Sequence, residues 1–140
     1  MSWFIFALLS AVFAALVSIL AKIGLKDLNS NLATAIRTTV VLIFTWGIAL
    51  AQGLNKEIGN ITKSTWIFLI LSGIATGLSW LFYFRALQIG EASKVMPIDK
   101  MSIVIGIVFA AIFLGEKLSW MGILGTILIS AGAIMIAFAK

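Results

Sequence analysis

The sequence predicts an all-α chain, a polytopic membrane bundle of five transmembrane helices. Three observations carry that expectation. The 140 residues are 62% hydrophobic and 11% charged, whereas a soluble domain is about 45–50% apolar and about 25% charged. The apolar residues fall in runs close to the roughly 20 residues a helix needs to cross about 30 Å of hydrocarbon. No charged residue sits at the middle of a run. The runs are 3–21, 31–51, 64–84, 95–114 and 118–139, so residues 1–140 read as a single five-helix transmembrane domain.

Composition also excludes chemistry. The chain has no cysteine and no histidine, which rules out disulfides, thiolate metal sites, Cys or His nucleophiles and imidazole relays. No cofactor and no metal is expected. A net charge of +5 would suggest nucleic acid in a soluble protein. In a membrane chain, basic residues mark the cytoplasmic ends of spans, so no nucleic-acid partner is expected.

The first span, Trp3–Ala21, is uncharged and lacks the basic lead of a secretory signal, so it is expected to be retained. Ala7, Ala11 and Ala15 recur every four residues, with Ala14 and Ser18 beside them. Such a strip lets another helix approach closely; a smooth cavity wall is the alternative. Lys22, Lys26 and Asp27 follow, and Asn29 or Ser30 can cap the second helix. Arg37 lies about two turns inside that helix, either snorkelling to the headgroups or facing the bundle.

Residues 52–63 have a turn composition, with Gly53, Asn55, Gly59 and Asn60. The third span carries Gly73 and Gly77, a spacing that permits backbone contact, and then Trp80, Tyr83 and Phe84. That aromatic stripe reads as packing or an interface anchor, with a ligand platform as the alternative. The fourth span opens on Pro97, Asp99 and Lys100. If its helix starts near Met96, Pro97 occupies the first turn, where spare N–H groups exist. If it starts near Ser93, Pro97 removes a bond and frees a carbonyl that can line a pathway.

Adjacent helical residues point about 100° apart, so Asp99 and Lys100 are expected to face different partners. A charge at the centre of a membrane helix costs about 2.5–3.5 kcal/mol. Asp99 therefore needs a counter-ion, with Arg37, Lys22 or Arg85 as choices, or a task such as proton or cation coupling. The hairpin 114–119 leads into the fifth span, where Ser119 can cap and Trp120 sits at the interface. Gly122, Gly125, Thr126, Ser130, Gly132 and Ala133 make that span a packing or dimerising helix.

With five spans, Lys56, Lys63 and Lys117 fall on the N-terminal side of the membrane. Lys22, Lys26, Arg37, Arg85, Lys94, Lys100 and Lys140 fall on the other. This favours N-out, C-in. Setting aside Arg37, Arg85 and Lys100 as functional residues nearly removes the bias, which leaves insertion in both orientations open. Lys22, Arg37, Arg85, Asp99 and Lys100 together suggest a polar vestibule on one side. No nucleophile–base pair is evident, so no catalytic residue and no enzyme activity is expected.

The run Phe84-Arg-Ala-Leu-Gln-Ile-Gly-Glu-Ala-Ser-Lys-Val-Met-Pro-Ile-Asp-Lys100, the hairpin Leu114-Gly-Glu-Lys-Leu-Ser119 and the glycine-rich last helix resemble the EamA-type unit of the drug/metabolite transporter superfamily. Lys22-Ile-Gly-Leu and Ala35-Ile-Arg-Thr fit the same pattern. The usual member has ten spans in two inverted units, its cavity lined mostly by helices one, three and four of each. The resemblance thus implicates Lys22, Trp80, Tyr83, Arg85, Pro97, Asp99 and Lys100; Arg37 joins them from the reading of the residues themselves. A single unit implies a homodimer, inverted or parallel, or a heterodimer with a paralogue.

The small multidrug transporters are a neighbouring type. They have four spans and a glutamate in the first helix; here the first helix has no carboxylate and a fifth span exists. The expectation is a half-unit of a plasma or inner-membrane transporter, working in the bilayer on a small solute or metabolite by alternating access. A non-transporting assembly or regulatory subunit and a lipid-linked-metabolite flippase are the alternatives.

Overall fold

The computed structural model describes residues 2–139 and is all-α, with no strand among the described residues. The helices are α1 (Ser2–Gly24), α2 (Ser30–Ala51), α3 (Lys63–Ile89), α4 (Ala92–Asp99), α5 (Met101–Phe113) and α6 (Trp120–Phe138). A 3-10 stretch, Leu54–Asn60, lies between α2 and α3. With α4 and α5 in series as Ala92–Phe113, five segments of 19 to 27 residues are long and apolar enough to cross a membrane. The protein is a multi-pass membrane protein. Phe82 and Ile43, exposed by 73% and 68%, show the consequence: large apolar side chains face outward, where the solvent is hydrocarbon.

Local chemistry sets the helix ends. Asn29 caps α2, its Oδ1 accepting the Asn31 N–H at 2.9 Å, and Ser119 caps α6, its Oγ accepting the Gly122 N–H at 3.0 Å. Both are small polar residues suited to satisfy orphan N–H groups. Two glycines carry the left-handed backbone that turns require, Gly53 at φ 71° after α2 and Gly115 at φ 68° after α5.

Hydroxyls within the spans bond back to their own helix. Ser18, Thr34, Thr38, Thr39, Thr45, Thr76, Thr126 and Ser130 each donate to the carbonyl four residues earlier. That keeps these donors satisfied in an apolar medium. It also commits these hydroxyl hydrogens to their own helices.

Two departures from the expected spans matter. The third helix continues to Ile89, so Arg85 and Gln88 lie on α3 itself and the link to α4 shrinks to Gly90 and Glu91. The fourth span begins at Ala92, which puts Pro97 inside α4 rather than in a first turn. Pro97 has no N–H for the Ser93 carbonyl, and a proline there weakens helix continuation. The helix breaks three residues later at Lys100 (φ −69°, ψ −7°), and α5 starts at Met101.

The chain forms two compact units, Ala21–Gln88 and residues 2–20 with 89–139. In the latter, α6 lies along α4 and α5. The small side chain of Ala133 is buried there, as a close-packing helix requires.

Candidate functional site

The unit Ala21–Gln88 holds Lys22, Arg37, Trp80, Tyr83 and Arg85. Arg37 is the eighth residue of α2, about 10 Å along it at 1.5 Å per residue. Trp80 and Phe84 lie on the closing part of α3, which returns through the membrane after α2. At that shared depth the Arg37 guanidinium sits 4.2 Å from the Phe84 ring centroid and 5.3 Å from that of Trp80. Tyr83 meets Phe84 edge-on, with centroids 5.5 Å apart and planes at 63°. Phe84 is buried, and Arg37, Trp80 and Tyr83 are half-buried. Stacking a guanidinium on rings recovers about 0.5–1 kcal/mol when exposed and about 2 or more when desolvated. It does not satisfy the N–H groups. Nη1 of Arg37 is buried with no hydrogen-bond partner among the described residues.

Near the end of α3 a polar clasp ties this helix to the end of α1 and the segment after it. Lys22 Nζ donates to the Leu87 carbonyl. Gln88 Nε2 donates to the Leu28 carbonyl at 2.7 Å and, at the 3.5 Å limit, to that of Leu25. Gln88 Oε1 accepts from Arg85 Nη1 at 2.7 Å. Leu25 and Leu87 are buried beneath these contacts. The Leu87 carbonyl lies in the last turn of α3, where a helix leaves carbonyls without helical partners and positive charge is favoured. A notch of about 320 Å³ opens beside the clasp, lined by Lys22, Ile23, Leu25, Lys26 and Gln88.

Gln88 is the residue that sequence reasoning left unassigned. Its signal was available: a polar residue ending an apolar helix, three residues after Arg85 and therefore on the same helix face. Its partners, two backbone carbonyls, carry no sequence signal.

The other unit holds Pro97, Asp99 and Lys100. Here the structure corrects an expectation. Asp99 and Lys100 do not point to separate partners; they pair with each other, Nζ to Oδ2 at 3.4 Å. The 100° separation holds in an unbroken helix, and the turn at Lys100 is where α4 ends. Both side chains are partly exposed, by 33% and 54%. Glu91 and Lys94 form a second local pair at 3.4 Å.

The small-residue positions face open space. A Cβ built at Gly73 or Gly77 meets nothing within 4 Å, and Ala7, Ala11 and Ala15 are exposed.

Among the described residues there is no group of three or more His, Cys, Asp or Glu that could hold a metal ion. The charged and aromatic groups can bind, orient and neutralise a solute. They present no nucleophile with an adjacent base.

Residues 1–138 match the EamA-like transporter family. A protein from Sinorhizobium sp. described as an "Uncharacterized transporter in cobO 3'region" is 51% identical over 136 residues, covering 97% of this chain and 96% of that relative. No solved structure matches the chain significantly.

Proposed function

Because the chain belongs to the EamA-like transporter family, we propose that it is one half of a dimeric membrane transporter that moves a small solute or metabolite by alternating access. The observation that carries this reading is the family match over residues 1–138, in a chain with five spans and charges gathered toward span ends. The family points to transport rather than covalent chemistry.

Dimerisation is supported by the small-residue surfaces. A Cβ at Gly73 or Gly77 would meet nothing within 4 Å, and Ala7, Ala11 and Ala15 are exposed, so both strips offer surface to a second helix. The Sinorhizobium relative is covered to 96% by the same single unit. Two such units, identical or paralogous, complete a pathway, and an inverted pair requires insertion in both orientations. The protein resides in the plasma or inner membrane with N-out, C-in as its main orientation.

The residues assigned to the pathway are Lys22, Arg37, Trp80, Tyr83, Arg85, Pro97, Asp99 and Lys100. Asp99 is the coupling carboxylate. Its pairing with Lys100 is local, so releasing the pair on solute or proton binding disturbs little else. The break between α4 and α5 supplies a point of bending beside it.

The test is flux. Membrane vesicles with and without the protein are compared by untargeted metabolite profiling, and any solute found is followed in proteoliposomes with wild type and Asp99→Asn. Loss of flux with unchanged expression and oligomeric state supports the reading. A wild-type protein that changes no solute gradient sinks it and favours a regulatory or assembly subunit. Cysteines introduced into the 52–63 loop and labelled from one side only would exclude an inverted homodimer.

A further inference from the structure

We infer that Arg37 is an oxyanion-binding residue, and that the solute moved by this protein carries a carboxylate or phosphate group. The inference deepens the transport reading by naming the substrate class and rests on that reading for its biological meaning.

The argument starts from what Arg37 lacks. A guanidinium presents five N–H donors in a plane and accepts nothing. Its face is covered by Phe84 at 4.2 Å and Trp80 at 5.3 Å. Neither ring offers an acceptor lone pair, since indole N–H only donates. No hydrogen bond of Arg37 to any described residue compensates, and Nη1 is already out of solvent. The acids of its unit, Asp27 and Glu57, lie in the connections between helices rather than in a span. Leaving a charged donor buried and unmatched is among the costlier states a side chain can adopt.

The residue as a whole is only half-buried. A guanidinium stacked on its face keeps its in-plane N–H groups for two parallel N–H···O bonds to one carboxylate or phosphate. A lipid headgroup phosphate shares that chemistry. The rings argue for a solute instead, because they hold the guanidinium against α3, about 10 Å along α2, rather than letting it reach outward.

Arg37 and Arg85 are the two arginines of the chain, which makes a direct test simple. Protein in a nonionic, lipid-free detergent is labelled with ¹⁵N-arginine, and Arg85→Lys assigns the two Nε resonances. Acetate, benzoate and inorganic phosphate are titrated in, against chloride at equal ionic strength. The expected result is a saturable shift of the Arg37 resonance with a carboxylate or phosphate, and a much smaller shift with chloride. By calorimetry, Arg37→Gln binds the responding anion at least tenfold more weakly, and Arg37→Lys falls between.

An unmoved Arg37 resonance overturns the proposal, as does an equal response to chloride. So does a response that appears only when phosphatidylglycerol nanodiscs replace the detergent, which would assign Arg37 to lipid. The labelled wild type gives the answer even where Arg37→Gln fails to fold. The two readings can fail separately. Specific anion binding without flux in proteoliposomes leaves this proposal standing and removes transport; flux of an uncharged solute, unchanged in Arg37→Gln, does the reverse.

Discussion

The end of α3 and the break between α4 and α5 handle polarity in opposite ways. Around α3, polar groups reach partners far along the chain: Lys22 to Leu87 across 65 residues and Gln88 to Leu28 across 60. At the break, Asp99 pairs with the next residue and Glu91 with one three positions on. The distant contacts define which helices meet, so they belong to architecture. The local pairs define almost nothing beyond themselves, and partly exposed pairs are worth about 0–1 kcal/mol. Charges held so loosely are the ones that function can use.

Substitutions ranked by their effect on stability sharpen this contrast. Gln88→Leu strips the Leu28 carbonyl and Arg85 of a shared partner at once. It should lower unfolding stability in detergent by about 2 kcal/mol, the loss of two hydrogen bonds worth about 1 kcal/mol each. A neutral result would move the clasp out of the architectural class. Pro97→Ala supplies the N–H that the Ser93 carbonyl lacks and should raise stability by about 1 kcal/mol, one net hydrogen bond, while slowing flux. A variant that melts earlier and transports normally would contradict the bending role of the break.

Gly77→Ala adds a methyl group into open space and should raise the stability of the isolated chain by about 0.4–1 kcal/mol through backbone entropy. Loss of cross-linked dimer in the same variant would locate the seam on α3; an undisturbed dimer would direct attention to α1 or α6. Asp99→Asn should have the smallest effect on unfolding, under about 1 kcal/mol, together with the largest loss of flux. Should it unfold as readily as Gln88→Leu, the two regions would not differ in kind.

Much of the fold was legible because hydrocarbon imposes a single length scale. Runs of apolar residues located five spans, and Asn29 and Ser119 announced the starts of α2 and α6 through their side chains. The candidate site was legible one residue at a time. Arg37 stood out as a charge inside a span, and Trp80 and Phe84 as a stripe. Their meeting depends on two helices sharing a depth, which no local pattern encodes. Gln88 escaped notice because its partners are backbone carbonyls. The pairing of Asp99 with Lys100 is hidden for a different reason: helical geometry does not extend across residues where the helix stops.

The clasp also bears on how the protein is made. Lys22 and the Leu28 carbonyl leave the ribosome some 60 residues ahead of Leu87 and Gln88. The aromatic bed of Arg37 is likewise absent when α2 first enters the insertion machinery. During that interval these cations are bare and count fully toward which way the nascent helices thread. Side chains that end as internal ties are thus available first as topogenic signals, before the contacts that later engage them exist.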